Sequence, residues 1–272
     1  MSGWATGGGG NEAASAALIT SPDAFIGVLP GRALTGSGWP VHIHGMTSAQ
    51  SLPDITPPIE DYLKAIYAVG RESGEGRATT SAIAERMAVS AASASNMMQK
   101  LADMKLVEYT PYRGVSLTSA GEKIALEVIR HHRLIELYLA EALGYSWDEV
   151  HAEAERLEHV ISEEFEDRID AMLGHPTTDP HGDPIPSKAG LVPDDVQRRL
   201  SDVASGESVV VRRVDDRDRD VLRQLARLDL VPGAHVTVVD RGATGDLTLQ
   251  RDREVVTVEG DLASRVYVER RR

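Results

Sequence analysis

Between Thr79 and Thr118 the sequence sets down a short helix, a tight connection, a second helix and a strand that turns back on itself, an order few small folds share. Thr79 and Thr80 offer N-caps for a helix over Ser81 to Met87, with Ile83, Ala84 and Met87 at inward spacing. Val89 and Ser90 form the connection. Ala91 to Met104 resumes the helical period, with Ala94, Met97, Met98 and Leu101 on one side. Val107 and Tyr109, then Val115 and Leu117, alternate about a turn holding Gly114, which is a β-hairpin pattern. Helix, tight turn, helix, hairpin is the winged helix-turn-helix order, whose second helix enters a DNA major groove.

That second helix would present Ser90, Ala92, Ser93, Asn96 and Lys100 on its free face. Small residues at its start let backbone approach bases and phosphates. The Asn96 amide suits an adenine edge, while Lys100 and the wing residue Arg113 suit phosphates. Winged helices also bind proteins, and Ser and Asn are common on solvated helices; the element order favours DNA.

The remaining chain divides by composition. Residues 1–45 are rich in Gly, Ala and Ser without a sustained period and read as a disordered extension, with Met46 resembling a natural start. Ile59, Tyr62, Leu63, Ile66 and Tyr67 mark a first helix entered through Pro57 and Pro58. The winged helix-turn-helix then spans 46–118. Thr118 and Ser119 cap a long helix to about Leu143, and a second long helix follows Trp147 and reaches Leu173. Together with the proline-rich connection Gly174–Pro186 these form a helical domain over 119–190. A helix over 193–204 and a linker opening at Ser205-Gly206 fill 191–206. Val209–Val211, Val236–Val239, Leu247–Leu249 and Val255–Val258, with a short helix from Leu222 to Leu230, make 207–272 a small β-barrel. The fold class is mainly α with a small β domain.

The helix after Trp147 carries His151, Glu155, Glu158 and His159 on one stripe, apart from the apolar stripe Val150, Ala154, Leu157 and Ile161. The preceding helix carries His132 and Glu136 four residues apart, and two antiparallel helices would face these groups toward each other. Such a set suits a hard divalent cation. Acidic helix faces are also ordinary solvated surface, so spacing alone leaves both readings open. The chain has no Cys, which excludes disulfides and thiolate ligands. Its net charge of −13 argues against a non-specific nucleic-acid coat but not against a sequence-specific reader. No apolar run is long enough for a membrane and no secretory signal is read, so the expected location is cytoplasmic.

Residues 58–272 resemble the diphtheria-toxin-repressor family of metal-dependent regulators. The resemblance is carried by Glu60-Asp61-Tyr62-Leu63-Lys64-Ala65-Ile66-Tyr67, by Ile83-Ala84-Glu85-Arg86-Met87 with Ser90 to Leu101, and by Leu117-Thr118-Ser119-Ala120-Gly121. It continues in His132-Arg133-Leu134-Ile135-Glu136, Glu155-Arg156-Leu157-Glu158-His159 and His181-Gly182-Asp183-Pro184-Ile185-Pro186. It implies a homodimer that binds operator DNA, a central dimerisation domain with two metal sites per subunit, and a C-terminal SH3-like (FeoA-like) barrel. Carried over by position, the primary site would use Asp61, Glu155, Glu158 and His159. The ancillary site would use His132, Glu136 and His151, completed from the barrel, where Asp216 is assigned among Asp215, Asp216 and Asp218.

Iron-sensing members of the family place Met at the position of Asp61 and Cys at that of Glu155. Carboxylates at both positions resemble the manganese-sensing branch (MntR) and favour a harder ion, Mn²⁺, over Fe²⁺. The short manganese regulators have Glu where this chain has Lys64, and lack the barrel. The expectation is a non-enzymatic, Mn²⁺-activated repressor of metal-uptake genes, with an iron-dependent repressor as the alternative. A metallohydrolase has no His-Glu-x-x-His motif to support it and no use for a helix-turn-helix; a metal-free winged-helix regulator sensing a small organic ligand is the third reading, which equilibrium dialysis showing no bound cation would promote.

Overall fold

The computed structural model describes residues 55–193 and 198–271. The expectations for residues 1–45 and for a start at Met46 lie outside them.

Helix α1, Pro57–Glu72, opens with prolines at its first two positions, where a helix has no use for the N–H and a fixed φ helps. Helix α2, Thr80–Arg86, is capped by Thr79, and α3, Ala91–Asp103, by Ser90, which accepts the Ser93 N–H at 3.1 Å. Strands β1, Val107–Thr110, and β2, Gly114–Leu117, pair antiparallel, with Val107 opposite Leu117 and Thr110 opposite Gly114. Ile59, Leu63 and Ile66 of α1, Ile83 of α2, Met98 and Leu101 of α3 and Val115 of β2 share one core. This is the winged helix-turn-helix.

Helix α4, Ser119–Leu143, is capped by Thr118 and stopped by Gly144 at φ 71. Ala125, near its start, joins the winged-helix core, whereas Ile135 and Leu139 pack on Val150 and Ala154. One rigid helix therefore runs from the reader into the next domain.

The second long helix expected after Trp147 is instead two helices, α5, Val150–Leu157, and α6, Glu163–Met172. Ser162 is the cause. Its backbone is extended and its hydroxyl accepts the Phe165 N–H at 3.3 Å, so it begins a new helix rather than continuing the old one. The break leaves Glu158 and His159 in the turn leaving α5.

The helix expected over 193–204 is replaced, among the described residues, by a 3₁₀ turn at Leu200–Asp202. Leu200 and Val203 are wholly buried in the C-terminal core and Arg199 forms a β-bridge with Tyr267, so this segment is part of that domain, not a linker to it. The domain continues with β3, Ser208–Val214, α7, Arg219–Arg227, β4, His235–Arg241, β5, Leu247–Arg251, β6, Glu254–Val258, α8, Gly260–Ala263, and β7, Val266–Arg270. The sheet is antiparallel in the order β6-β5-β4-β3-β7, and register shifts in β3 and β4 bend it around its core. Strand β7 and α8 were not anticipated; Val266 and Val268 of β7 fill the core beside Val209 and Val211.

Candidate metal centre and nucleic-acid interface

Two groups of His and carboxylate side chains meet where α1, α4, α5 and the C-terminal sheet converge. In the first, His159 Nε2 lies 2.9 Å from Asp61 Oδ1 and 3.4 Å from Glu158 Oε1. Glu60 closes the other side of the ring, at 2.5 Å from His159 Nδ1. Asp61 comes from the DNA reader; Glu158 and His159 come from the turn after α5. Burial, Glu155 and Glu158 push the Asp61 carboxyl up despite the opposing pull of His159 and Lys64. Glu155 was expected in this set, yet its carboxylate stands apart from the Asp61, Glu158 and His159 ligand atoms and groups with His132 and Glu158. The reason is Lys64, whose ammonium binds Glu155 Oε1 at 2.6 Å.

The second group joins His132 and Glu136 of α4, His151 of α5 and Asp216 from the loop after β3. His132 Nε2 is 2.9 Å from Glu136 Oε1 and 3.1 Å from His151 Nδ1. His151 Nδ1 is 3.1 Å from Glu136 Oε1 and 3.3 Å from Asp216 Oδ2. All four residues expected here are brought together, Asp216 included. His132 also touches Glu158 through Nδ1, so it joins the two groups.

His181 was not foreseen as part of this group. It is wholly buried, its Nε2–H donates to Trp147 O at 2.8 Å, and its Nδ1 points at Glu136 Oε2, 3.7 Å away, and Asp216 Oδ2, 3.9 Å away. Among the described residues, neither His181 Nδ1 nor Glu136 Oε2 has a hydrogen-bond partner. Asp179 joins from the same segment, taking the N–H groups of His181 and Asp183 at 2.8 and 2.9 Å. The signal was an Asp-x-His spacing inside a proline-rich stretch, which reads as connection because no helical or strand period frames it.

Gly182 fixes this segment. At φ 88, its backbone lies so close to β3 that a Cβ would stand 1.9 Å from Arg212 O. The Val214 N–H donates to His181 O at 3.0 Å just beside it. The contact sets His181 next to Asp216, two residues beyond the end of β3.

Electrostatics agree with the geometry. Burial alone would discharge the imidazoles, but Glu136 pushes His132 up to about 9, and Asp216 with Glu136 pushes His151 up to about 11. Glu136 with Asp216 likewise pushes His181 up to about 10. Their carboxylates are driven the other way: despite burial, His132 draws Glu136 well down and His151 draws Asp216 down. A field that holds protons on buried imidazoles this firmly also favours a cation. Glu136 Oε2 and His181 Nδ1, turned toward one another 3.7 Å apart, supply a fitting donor set for one that displaces the imidazole's proton.

Ser90, Ala92, Ser93, Asn96 and Lys100 are all exposed along α3, and Arg113 is exposed in the wing turn. Tyr112, beside Arg113, stands fully out of the turn. Sequence reasoning passed over it because an aromatic in a hairpin is usually inward.

Comparisons with known proteins match this arrangement domain by domain. Residues 54–115 match the iron dependent repressor N-terminal DNA binding domain, 118–187 its metal binding and dimerisation domain, and 198–270 the FeoA domain. The chain is 34% identical over 229 residues to the iron-dependent repressor IdeR of Mycobacterium leprae, covering 80% of this chain and 99% of that protein. It is 30% identical to the diphtheria toxin repressor of Corynebacterium diphtheriae over 228 residues, 80% of this chain and 99% of that protein. Among solved structures, a manganese-dependent transcriptional repressor in complex with manganese superposes with a TM-score of 0.73 at 38% identity, covering 78% of this chain and 99% of that one. The manganese regulator SloR gives 0.67 at 35%, covering 80% and 100%. The chain is a metal-dependent transcriptional repressor of the diphtheria-toxin-repressor family.

Proposed function

We propose that this repressor is activated by Mn²⁺ and binds operator DNA of metal-uptake genes as a homodimer in the cytoplasm. In this reading residues 46–118 read DNA, 119–190 hold metal and dimerise, and 207–272 contribute Asp216. The observation that carries it is the donor set. Every candidate ligand in both groups is a carboxylate oxygen or an imidazole nitrogen, with Asp61 and Glu155 at the two positions where the iron-sensing branch carries sulfur. Oxygen ligands favour Mn²⁺. Fe²⁺ shares much of this preference, and relatives named iron-dependent keep it as the second reading.

Asp61, Glu158 and His159 would hold the primary ion with Glu155, and Glu136, His151, His181 and Asp216 the ancillary ion with His132 and Asp179 beside it. A bound divalent cation supplies the positive charge that offsets crowded carboxylates at the junction of reader and dimerisation domain. Asp61 rides on α1, which is part of the reader core; Glu158 and His159 sit in the turn leaving α5. Drawing the three together fixes the angle of α3 to the rest of the molecule, so ligand binding and DNA binding are linked. Asn96 would read a base edge, and Ser90, Ser93, Lys100 and Arg113 would meet phosphates while Ala92 lets the backbone approach. Phe165 and Met172, exposed and seven residues apart on α6, support burial of that face in a homodimer.

The test is binding of the purified chain to promoter DNA of a metal-transporter gene, titrated with Mn²⁺, with Fe²⁺ under anaerobic conditions and with chelator. Tight binding with Mn²⁺ that chelator abolishes supports the proposal. Activation by Fe²⁺ alone favours the second reading, and binding that ignores metal overturns both.

A further inference from the structure

The loop between α4 and α5 carries Trp147, Asp148 and Glu149, and all three reach the C-terminal domain. Asp148 Oδ2 accepts the Arg219 Nε–H at 2.9 Å and the Arg223 Nε–H at 2.8 Å, and Glu149 Oε1 accepts from Arg219 Nη2 at 2.5 Å. Both arginines belong to α7, one turn apart. Burial would raise the Asp148 carboxyl, but Arg219, Ser146 and Arg223 draw it down to about 2. Trp147 packs against the core of the C-terminal domain, its ring lies 5.5 Å from that of His181, and its carbonyl takes the His181 Nε2–H. His151 follows Asp148 by three residues, and Asp216 precedes Arg219 by three. Asp218 caps α7 by accepting the Asp220 and Val221 N–H groups, which fixes how that helix leaves the Asp216 loop. The ion pair of Asp148 with Arg219 and the 3.3 Å approach of His151 to Asp216 are therefore two rungs of one short ladder.

We propose that Asp148 is a positioning residue for the ancillary site: gripped by α7, it docks the C-terminal domain so that Asp216 stands beside His151. The inference rests on reading that group as a metal site. Asp216 comes from a different domain than His132, Glu136 and His151, so its effective concentration at them depends on how firmly that domain is held. The Asp148 side chain is 12% exposed and shared by two guanidinium groups that are each about half exposed. Acidic groups at the start of a helix also stabilise it through its dipole, and Asp148 and Glu149 stand just before α5. That role needs no partner on α7, whereas Arg219 and Arg223 both converge on a single oxygen of Asp148. A dock with ion pairs at its rim and Trp147 on the apolar core holds Asp216 in place before any ion arrives. It thereby lowers the ordering cost of binding one.

The experiment uses the full chain, stripped of metal, with Mn²⁺ as the probe. Calorimetric titration compares wild type, D148A, R219A/R223A and the triple variant, with D216N identifying the ancillary step. D148A is expected to bind the ancillary Mn²⁺ roughly 3- to 30-fold more weakly, the worth of a few partly exposed ion pairs, and the primary Mn²⁺ as wild type does. The loss in the triple variant should fall well short of the product of the losses in D148A and R219A/R223A, because both remove one contact. A second readout needs no metal. With Trp4 and Trp39 replaced by Phe, Trp147 in chelator should be quenched more readily by acrylamide in D148A than in the parent, and salt should bring the parent toward the variant. Ancillary affinity in D148A equal to wild type overturns the proposal, and so does an equal loss at both sites. A D148A loss undiminished once the arginines are gone also overturns it, since helix-dipole stabilisation then suffices; so does Trp147 quenching that the substitution leaves unchanged. If wild type takes up no ancillary Mn²⁺ while quenching still responds to D148A, the metal reading of that group falls and the positioning role with it, leaving only the dock.

Discussion

Gly182→Ala tests whether the connecting segment really hangs on the C-terminal sheet. Two costs can be worked out. An L-residue held at φ 88 is strained, by about 1–2 kcal/mol in the left-handed region. The new Cβ would also lie 1.9 Å from Arg212 O, a backbone atom that cannot swing aside, so segment and strand must part. Forced repacking of that kind costs about 1–3 kcal/mol. Together about 2–5 kcal/mol of local stability should be lost, a factor of roughly 30 to 5000 in the opening equilibrium. The assay is amide exchange at Val214, whose N–H donates to His181 O across this contact. Gly206→Ala is the control: Gly206 has φ 86, but its Cβ would meet nothing within 4 Å, so only the strain is added. Val214 should lose protection in G182A and keep it in G206A. Because His181 moves with the segment, ancillary Mn²⁺ affinity should also fall by roughly 10- to 100-fold in G182A. Equal protection of Val214 in the two variants would refute the argument, since it would mean that the close approach to Arg212 carries no energy.

Other expectations follow from named contacts. Asn96→Ala should lower the ratio of operator to random-DNA affinity in competition binding, whereas Lys100→Ala should weaken both alike and flatten the salt dependence; an unchanged ratio in N96A would remove α3 as the reading helix. Asp216→Asn should weaken the ancillary ion, while Asp215→Asn should not, because Asp215 is turned toward Arg217 and Arg265 rather than His151; calorimetric titration separates them. The double change Asp61→Met, Glu155→Cys should shift DNA-binding activation toward Fe²⁺, and an unaltered metal response would count against the donor-type argument. Glu166 is 2% exposed and bridges His131 and Arg130, which hold its carboxyl below the ordinary range although burial works against them. Its stabilisation is therefore present above the ordinary carboxylate pKa and is lost as pH falls through its lowered value. Glu166→Gln should cost about 1.5–3 kcal/mol at pH 7 in urea unfolding, because Arg130 and His131 lose this carboxylate while Arg130 keeps Asp170 at 3.2 Å, and the gap from wild type should narrow at pH 3; a gap that does not change with pH would contradict this.

What was legible in the sequence was whatever a single helix or hairpin records in its own period. Thr79 and Thr118 cap the helices they were expected to cap, Ser90 of the expected connection caps α3, and His132, Glu136 and His151 could be paired because each lies on a regular face. The break at Ser162 was missed for the opposite reason: Glu155 and Glu158 before it and Glu163, Glu164 and Glu166 after it keep a helical appearance on both sides, and only the hydroxyl's bond to Phe165 N–H divides them. His181 and Lys64 were hidden more deeply, because their meaning depends on partners far away in the chain. His181 gains its role when Gly182 presses against Arg212 and the loop after β3 presents Asp216; the Asp-x-His-Gly sequence around it does not name those distant partners. Lys64 looks like a solvated helix lysine until the turn after α5 folds Glu158 beneath it. The same long-range assembly explains how the molecule can respond to an ion at all. Each cluster draws on elements from different domains, α1 with α5 in one and α4 with the loop after β3 in the other, and His132 touches both through its two ring nitrogens. One imidazole thus stands between the two clusters, and α1, which carries Asp61, shares its core with α3.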